Sequence, residues 1–222
     1  MMLGARTAAW AKAGGGGIPS GWVEVEWLKR NTGAYINTGV FVNRDIKTSV
    51  RFSYDGTSRN YYQYPIGSSN YDGSTGSFGF YTAGVEDWSS TWVSLWHRRN
   101  NTNVSWQEGV VYESSNDGNV FSLKADGVVV FEDFAVTKKS SDFTYPNPIS
   151  LFGVLSDSGS LDNALSGRLY SAFLDDTRGE VRDFVPVRNA TTNEGAMCNI
   201  LTGEIFRNVG SGSFIVGPDK TT

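Results

Sequence analysis

The residues able to do chemistry are few, and their spacing limits what that chemistry is. The chain has one histidine, His97, and one cysteine, Cys198. A Ser-His-Asp triad would have to use His97, which stands beside Arg98 and Arg99 on a strand pattern without a nucleophile elbow nearby. One Cys and one His cannot complete a four-ligand structural zinc site. Cys198, between Met197 and Ile200 on another strand pattern, reads as a buried inert thiol. A glycosidase needs two carboxylates set across the scissile bond. Glu132-Asp133 and Asp175-Asp176 are adjacent pairs, which point to opposite faces in a strand and to solvent in a turn. The glycines Gly14 to Gly17 lack the Lys-Ser/Thr that follows in a phosphate-binding loop. The expectation is a protein that is not an enzyme.

Three groups of residues read as binding chemistry instead. Tyr61, Tyr62, Tyr64 and Tyr71 fall in two stretches of loop composition, with Arg59, Gln63, Asn70 and Asp72 interleaved. Stiff amphipathic rings among hydrogen-bonding groups suit a sugar, whose C–H patches stack and whose hydroxyls bond. The same rings can also fold over the edge of a core. Asp157, Asp162 and Asn163 share one loop and offer the hard oxygen ligands that calcium takes without a linear motif, although solvated loop acids look the same. Leu3 and Trp10 are apolar groups in a stretch, residues 1–13, that is otherwise rich in small residues. That stretch ends in four glycines, which read as a flexible joint. Residues 1–21 are therefore expected to form an arm, either free or docked on a neighbouring subunit through Leu3 and Trp10, and residues 22–222 a single domain.

The elements that would position these groups are strands. Gly167 to Leu174 and Glu180 to Val187 alternate on either side of Asp175-Asp176-Thr177-Arg178-Gly179, the sequence form of a β-hairpin with one buried face. Phe121 to Lys124 and Val128 to Phe131 flank Asp126-Gly127, a pair suited to the positive φ angles of a type I′ turn. Val23, Val25 and Trp27 alternate with Glu24 and Glu26, and strand patterns recur at Lys47 to Tyr54, Ser77 to Thr82, Thr91 to Arg99, Ala196 to Leu201, Glu204 to Phe206 and Ser213 to Val216. No segment keeps a 3.6-residue period over enough turns to read as a helix. About twelve to fifteen strands of ordinary length are expected, arranged as an all-β, two-sheet antiparallel sandwich.

Ile149 to Gly153 (ISLFG), GRLYSAFL from Gly167, VRDFVPVRN from Val181 and Gly210 to Phe214 together resemble the second half of LamG-like, concanavalin A-like jelly-roll domains, of the kind found in phage fibres and bacterial surface proteins. Val25-Glu26-Trp27-Leu28 and Thr32 to Gly39 resemble the first strand of the same group, so the likeness brackets residues 23 to 219. It implies a jelly roll. It specifies function weakly, because the family includes lectins, adhesion modules, virion proteins and some glycoside hydrolases. The hydrolases of this fold use a strand bearing Glu-x-Asp, and no Glu here has an Asp two positions on. Many LamG-like domains hold calcium at a rim loop like the one with Asp157, Asp162 and Asn163.

Composition agrees with this class. The 222 residues include 26 glycines, 14% aromatics and only 19% charged residues, which fits many short strands and tight turns. A net charge of -4 without a basic stripe argues against nucleic acid as a partner. No apolar run approaches the ~20 residues of a membrane span. Lys12 interrupts the apolar residues after Arg6, so no secretion signal is evident, and release by lysis with a virion is one route outward. The expectation is a non-enzymatic extracellular protein of a virion or cell surface. It would act as an adhesion module binding a glycan or surface receptor through Arg59, Tyr61, Tyr62, Tyr64 and Tyr71. The alternative is a homo-oligomerising subunit of a fibre, filament or capsid decoration, with a glycoside hydrolase as a remote third.

Overall fold

In a computed structural model, which describes residues 16–55, 62–69, 77–83, 91–95, 98–101, 106–135, 147–155 and 159–221, the alternating segments are strands. Among the described residues no helix occurs. The chain opens with β1 (Trp22–Glu24), β2 (Leu28–Asn31), β3 (Ile36–Asn37) and β4 (Lys47–Tyr54). A meander follows through β5 (Tyr62–Ser69), β6 (Ser77–Ala83), β7 (Thr91–Leu95) and β8 (Arg98–Asn101). A second runs through β9 (Val111–Asn116), β10 (Val120–Ala125) and β11 (Val128–Ala135). Three two-residue strands come next, β12 (Ser150–Leu151), β13 (Val154–Leu155) and β14 (Leu161–Asp162). The last are β15 (Gly167–Asp175), β16 (Val181–Asn189), β17 (Gly195–Asn199), β18 (Glu204–Phe206) and β19 (Ser213–Val216). These nineteen exceed the expected number because pairs such as Ser150–Leu151 and Val154–Leu155 are too short to show alternation.

The named strands pair antiparallel throughout, and the two large sheets pack as a sandwich, with β13 and β14 forming a separate two-stranded sheet. The larger sheet has the order β11-β10-β9-β4-β15-β16-β17-β18, with β2 joining β15 to β19 and β1 pairing with β16. The smaller has the order β3-β12-β5-β6-β7-β8. β4 shows how the sequence builds the larger sheet. Thr48, Val50, Phe52 and Tyr54 turn inward, while Lys47 and Arg51 stay exposed on the outer face. Val50, Phe52 and Tyr54 meet Leu123, Leu169, Leu174 and Phe184 from the same sheet, and Ile36, Ile66 and Leu151 from the other. Burial of each such side chain contributes about 1.5–3 kcal/mol. Edge-to-face ring contacts, Trp106–Tyr112 at 4.3 Å and Tyr54–Trp106 at 5.1 Å, fill one end of this core. The polar Asn116, buried beside it, donates to the Ile46 carbonyl and accepts from the Gly118 amide.

Both hairpins expected from the sequence are present. In the first, Ala172 pairs with Phe184 and Asp175 with Val181, and the Asp176 carboxylate accepts from the amides of Arg178 and Glu180 to close the turn. In the second, Asp126 and Gly127 take φ values of 47° and 79°, as a type I′ turn requires. Pro186 sits in β16 where that strand changes neighbours from β15 to β1.

The alternation of β16 and β17 also makes a second, smaller core on the outer face. Phe184 and Met197 face the main core, whereas Val187, Ala196 and Cys198 form a separate cluster with Ile18, Trp22, Val185 and Ile205 packed on it. Residues 16–22 therefore lie on the outside of the larger sheet.

Candidate functional site

Among the described residues three places stand out: the rim where β5 meets the loop after β14, the outer face with the docked segment 16–22, and the edge of β11, with which no described strand pairs.

At the rim, the structure joins the tyrosine-rich stretch to the acidic loop. The Tyr64 amide donates to the Asn163 carbonyl at 3.0 Å, and Tyr64 bridges Ala164 in parallel. Phe152 donates to the Pro65 carbonyl and accepts from the Leu165 amide, with its own φ at 73°. Gly153 follows it, and a Cβ there would come within 2.6 Å of the end of the Leu161 side chain. Beneath the rim runs a polar chain. The Ser166 amide donates to Gln63 Oε1, the Ser166 hydroxyl to Asp55 Oδ1, and Asp55 Oδ2 lies 2.7 Å from Lys29 Nζ. Gln63 thus has its amide oxygen engaged by the protein.

Tyr64 is 5% exposed, so its ring lies over the core edge instead of facing outward. The backbone of Tyr62 pairs with Ala83 in β5. Arg59, Tyr61 and Tyr71 lie outside the described residues, as do His97, Leu3 and Trp10. Of the calcium candidates, Asp162 and Asn163 are adjacent and half-buried at the rim, and Asp157 lies outside the described residues. Among the described residues no group of three His, Cys, Asp or Glu side chains is placed to hold a metal ion. The Asn163 carbonyl, one candidate oxygen, is already bonded to Tyr64.

On the outer face, the last glycines of the run are packed against the sheet. The Gly17 amide donates to the Ile200 carbonyl at 2.8 Å, and a Cβ on Gly16 would lie 2.3 Å from the Leu201 carbonyl oxygen. At this position glycine permits close backbone approach. Gly17 also covers Cys198, whose sulfur lies 3.8 Å from the Gly17 carbonyl oxygen. Burial, with the charge of Glu24 adding to it, pushes the Cys198 thiol up to about 11. It is protonated at neutral pH, which suits an inert core thiol. Arginines stack on aromatic rings across this face: Arg168 over Trp27 at 4.5 Å, Arg207 over Trp22 at 5.0 Å and Arg51 over Tyr170 at 5.2 Å.

The third place is one that sequence reasoning missed. β11 ends the larger sheet, and among the described residues no strand pairs with its outer side. Val128, Val129 and Val130 are 70%, 46% and 43% exposed. Val128 pairs with Ala125, which pairs with the core residue Tyr112, so Val128 lies on the inward side of the hairpin end and is exposed there as well. Across the outer face, Arg51, Glu113 and Lys124 stand in register as alternating charges and lead to Val129. Native edges of this kind are usually blunted by charge or proline. Here register shifts in the β10–β11 pairing twist the strand, and Glu132 follows the three valines. The only sequence signal was the apolar triplet ahead of Glu132-Asp133, and a buried central strand can carry the same triplet.

No protein-family model matches this chain, and no curated protein is significantly similar to it. No helix among the described residues is long and apolar enough to cross a membrane.

Proposed function

We propose that the chain is a non-enzymatic, LamG-like structural protein of an extracellular surface, a virion or a cell, and that its sandwich associates with further copies of itself. The observation that carries this reading is the open edge at Val128–Val130. An edge strand that no described strand covers, with three solvent-facing valines, favours pairing with another chain. The antiparallel two-sheet architecture supports the jelly-roll part of the reading, and the docked root of residues 16–22 supports an arm that leaves from a fixed point. Sedimentation velocity of the full chain over a wide concentration range tests it. Association that grows with concentration is the expected outcome, and a monomer at every concentration refutes the proposal.

Glycan recognition is a second reading. It is supported by the bond between Tyr64 and Asn163, which fixes one end of the tyrosine-rich stretch to the rim. Arg59, Tyr61, Tyr62 and Tyr71 would then supply the contacts. A glycan array compares the unaltered chain with Tyr61→Ala plus Tyr62→Ala. Binding lost in the variant upholds this reading, and no binding by either protein ends it.

A further inference from the structure

We infer that residues 1–15 of one copy add as a strand to the open edge of β11 in the next copy, so that copies join head to tail. This rests on the assembly reading above and names the partner of its site. Position is the first support. The arm is rooted at the β17 end of the larger sheet, where Gly17 bonds Ile200, and β11 lies at the opposite end of the same sheet. An element rooted at one edge and a pairing site at the other make a heterologous contact, which repeats from copy to copy into a ring or an open filament.

Reach is the second support. From β17 to β11 there are six strand spacings, about 29 Å at ~4.8 Å each. If the stretch from Leu3 to Lys12 lies along β11, only residues 13–15 remain to cross that span, and they extend to roughly 10 Å. A chain cannot then serve its own β11, and a neighbouring copy removes that constraint.

Chemistry is the third support. Residues 1–15 contain Leu3, Trp10 and five alanines, no proline, and the basic residues Arg6 and Lys12 without any acid. β11 offers Val128–Val130 followed by Glu132 and Asp133. Strand addition draws affinity from main-chain hydrogen bonds, which any such segment can make, and specificity from the side chains between them. Here apolar groups meet the valines, and the basic residues meet Glu132.

Two full-length variants test the inference by mixing. One carries Leu3→Ser and Trp10→Ser in the arm, and the other Val129→Lys and Val130→Lys on the edge. Thermal melting checks that each remains folded, and Glu132→Lys replaces the edge pair if that variant melts early. Each variant alone is expected to associate at least about tenfold more weakly than the unaltered chain. An equimolar mixture should form heterodimers and nothing larger, because the single working edge receives the single working arm. Undiminished association of the arm variant overturns the inference and leaves assembly by another contact standing. A mixture of folded variants that stays monomeric also overturns it. An unaltered chain that is monomeric throughout overturns the assembly reading itself.

Discussion

Replacing Gly16 with alanine asks whether the end of the glycine run is a docked root or a hinge. The new Cβ would lie 2.3 Å from the Leu201 carbonyl oxygen and 2.4 Å from that of Ile200. Both obstacles are backbone, so the segment itself must lift. Lifting breaks the Gly17–Ile200 hydrogen bond, a loss of about 0.5–1.5 kcal/mol. It also uncovers part of Ile18 from the Val187, Ala196 and Cys198 cluster, at about 0.8 kcal/mol per methylene. Together the docked state should weaken by about 1–3 kcal/mol. The readout is Cys198, which lies beneath Gly17 and reacts with a thiol reagent only when this segment opens. At tenfold per 1.4 kcal/mol, labelling in Gly16→Ala should be about 5- to 150-fold faster. An unchanged rate would refute the reasoning. The pH dependence follows from the same burial. The folded-state thiol is raised from its ordinary 9.0 to about 11. Its contribution to stability is therefore complete below pH 9 and is lost as pH rises toward about 11, and Cys198→Ala should lack that component.

Three further outcomes are expected. Phe52→Ala empties a fully buried position against Tyr54, Trp106 and Tyr112, so denaturant unfolding should show a loss of about 3–5 kcal/mol and the melting temperature should fall by roughly 6–20 °C. Gly127→Ala meets no atom within 4 Å, so its effect should be confined to the left-handed backbone at φ 79° and amount to about 1–2 kcal/mol. Melting curves in calcium and in chelator should coincide, and a rise in calcium would establish an ion site at the loop with Asp162 and Asn163.

The two hairpins were legible in the sequence because each signal is local. Asp126-Gly127 carries its own φ preference, and the alternation of Gly167 to Leu174 declares one buried face. Lys47–Tyr54 was legible for the same reason, whereas the equally long Tyr62–Ser69 read as loop because its tyrosines and Pro65 break the alternation. β12, β13 and β14, at two residues each, are made by partners elsewhere in the chain, as when Ser150 pairs with both Asn37 and Gly67. The joining of Tyr64 to Asn163 is a contact across about a hundred residues that no local pattern records. Gly16 and Gly17 read as a joint because composition cannot distinguish glycine chosen for freedom from glycine chosen for close approach. The open edge of β11 was illegible for a related reason. Whether a strand lies at the end of a sheet is decided by what fails to pair with it, and Val128–Val130 carries no mark of that.

The central claim, that the β11 edge is the contact through which copies associate, is tested most directly by hydrogen–deuterium exchange of the full chain at low and high protein concentration. The outward amides of Val128 to Val130 should exchange faster in the dilute protein and become protected as association proceeds, while those of the inner strand β4 stay protected throughout. Association that leaves exchange at residues 128–130 unchanged would contradict the claim.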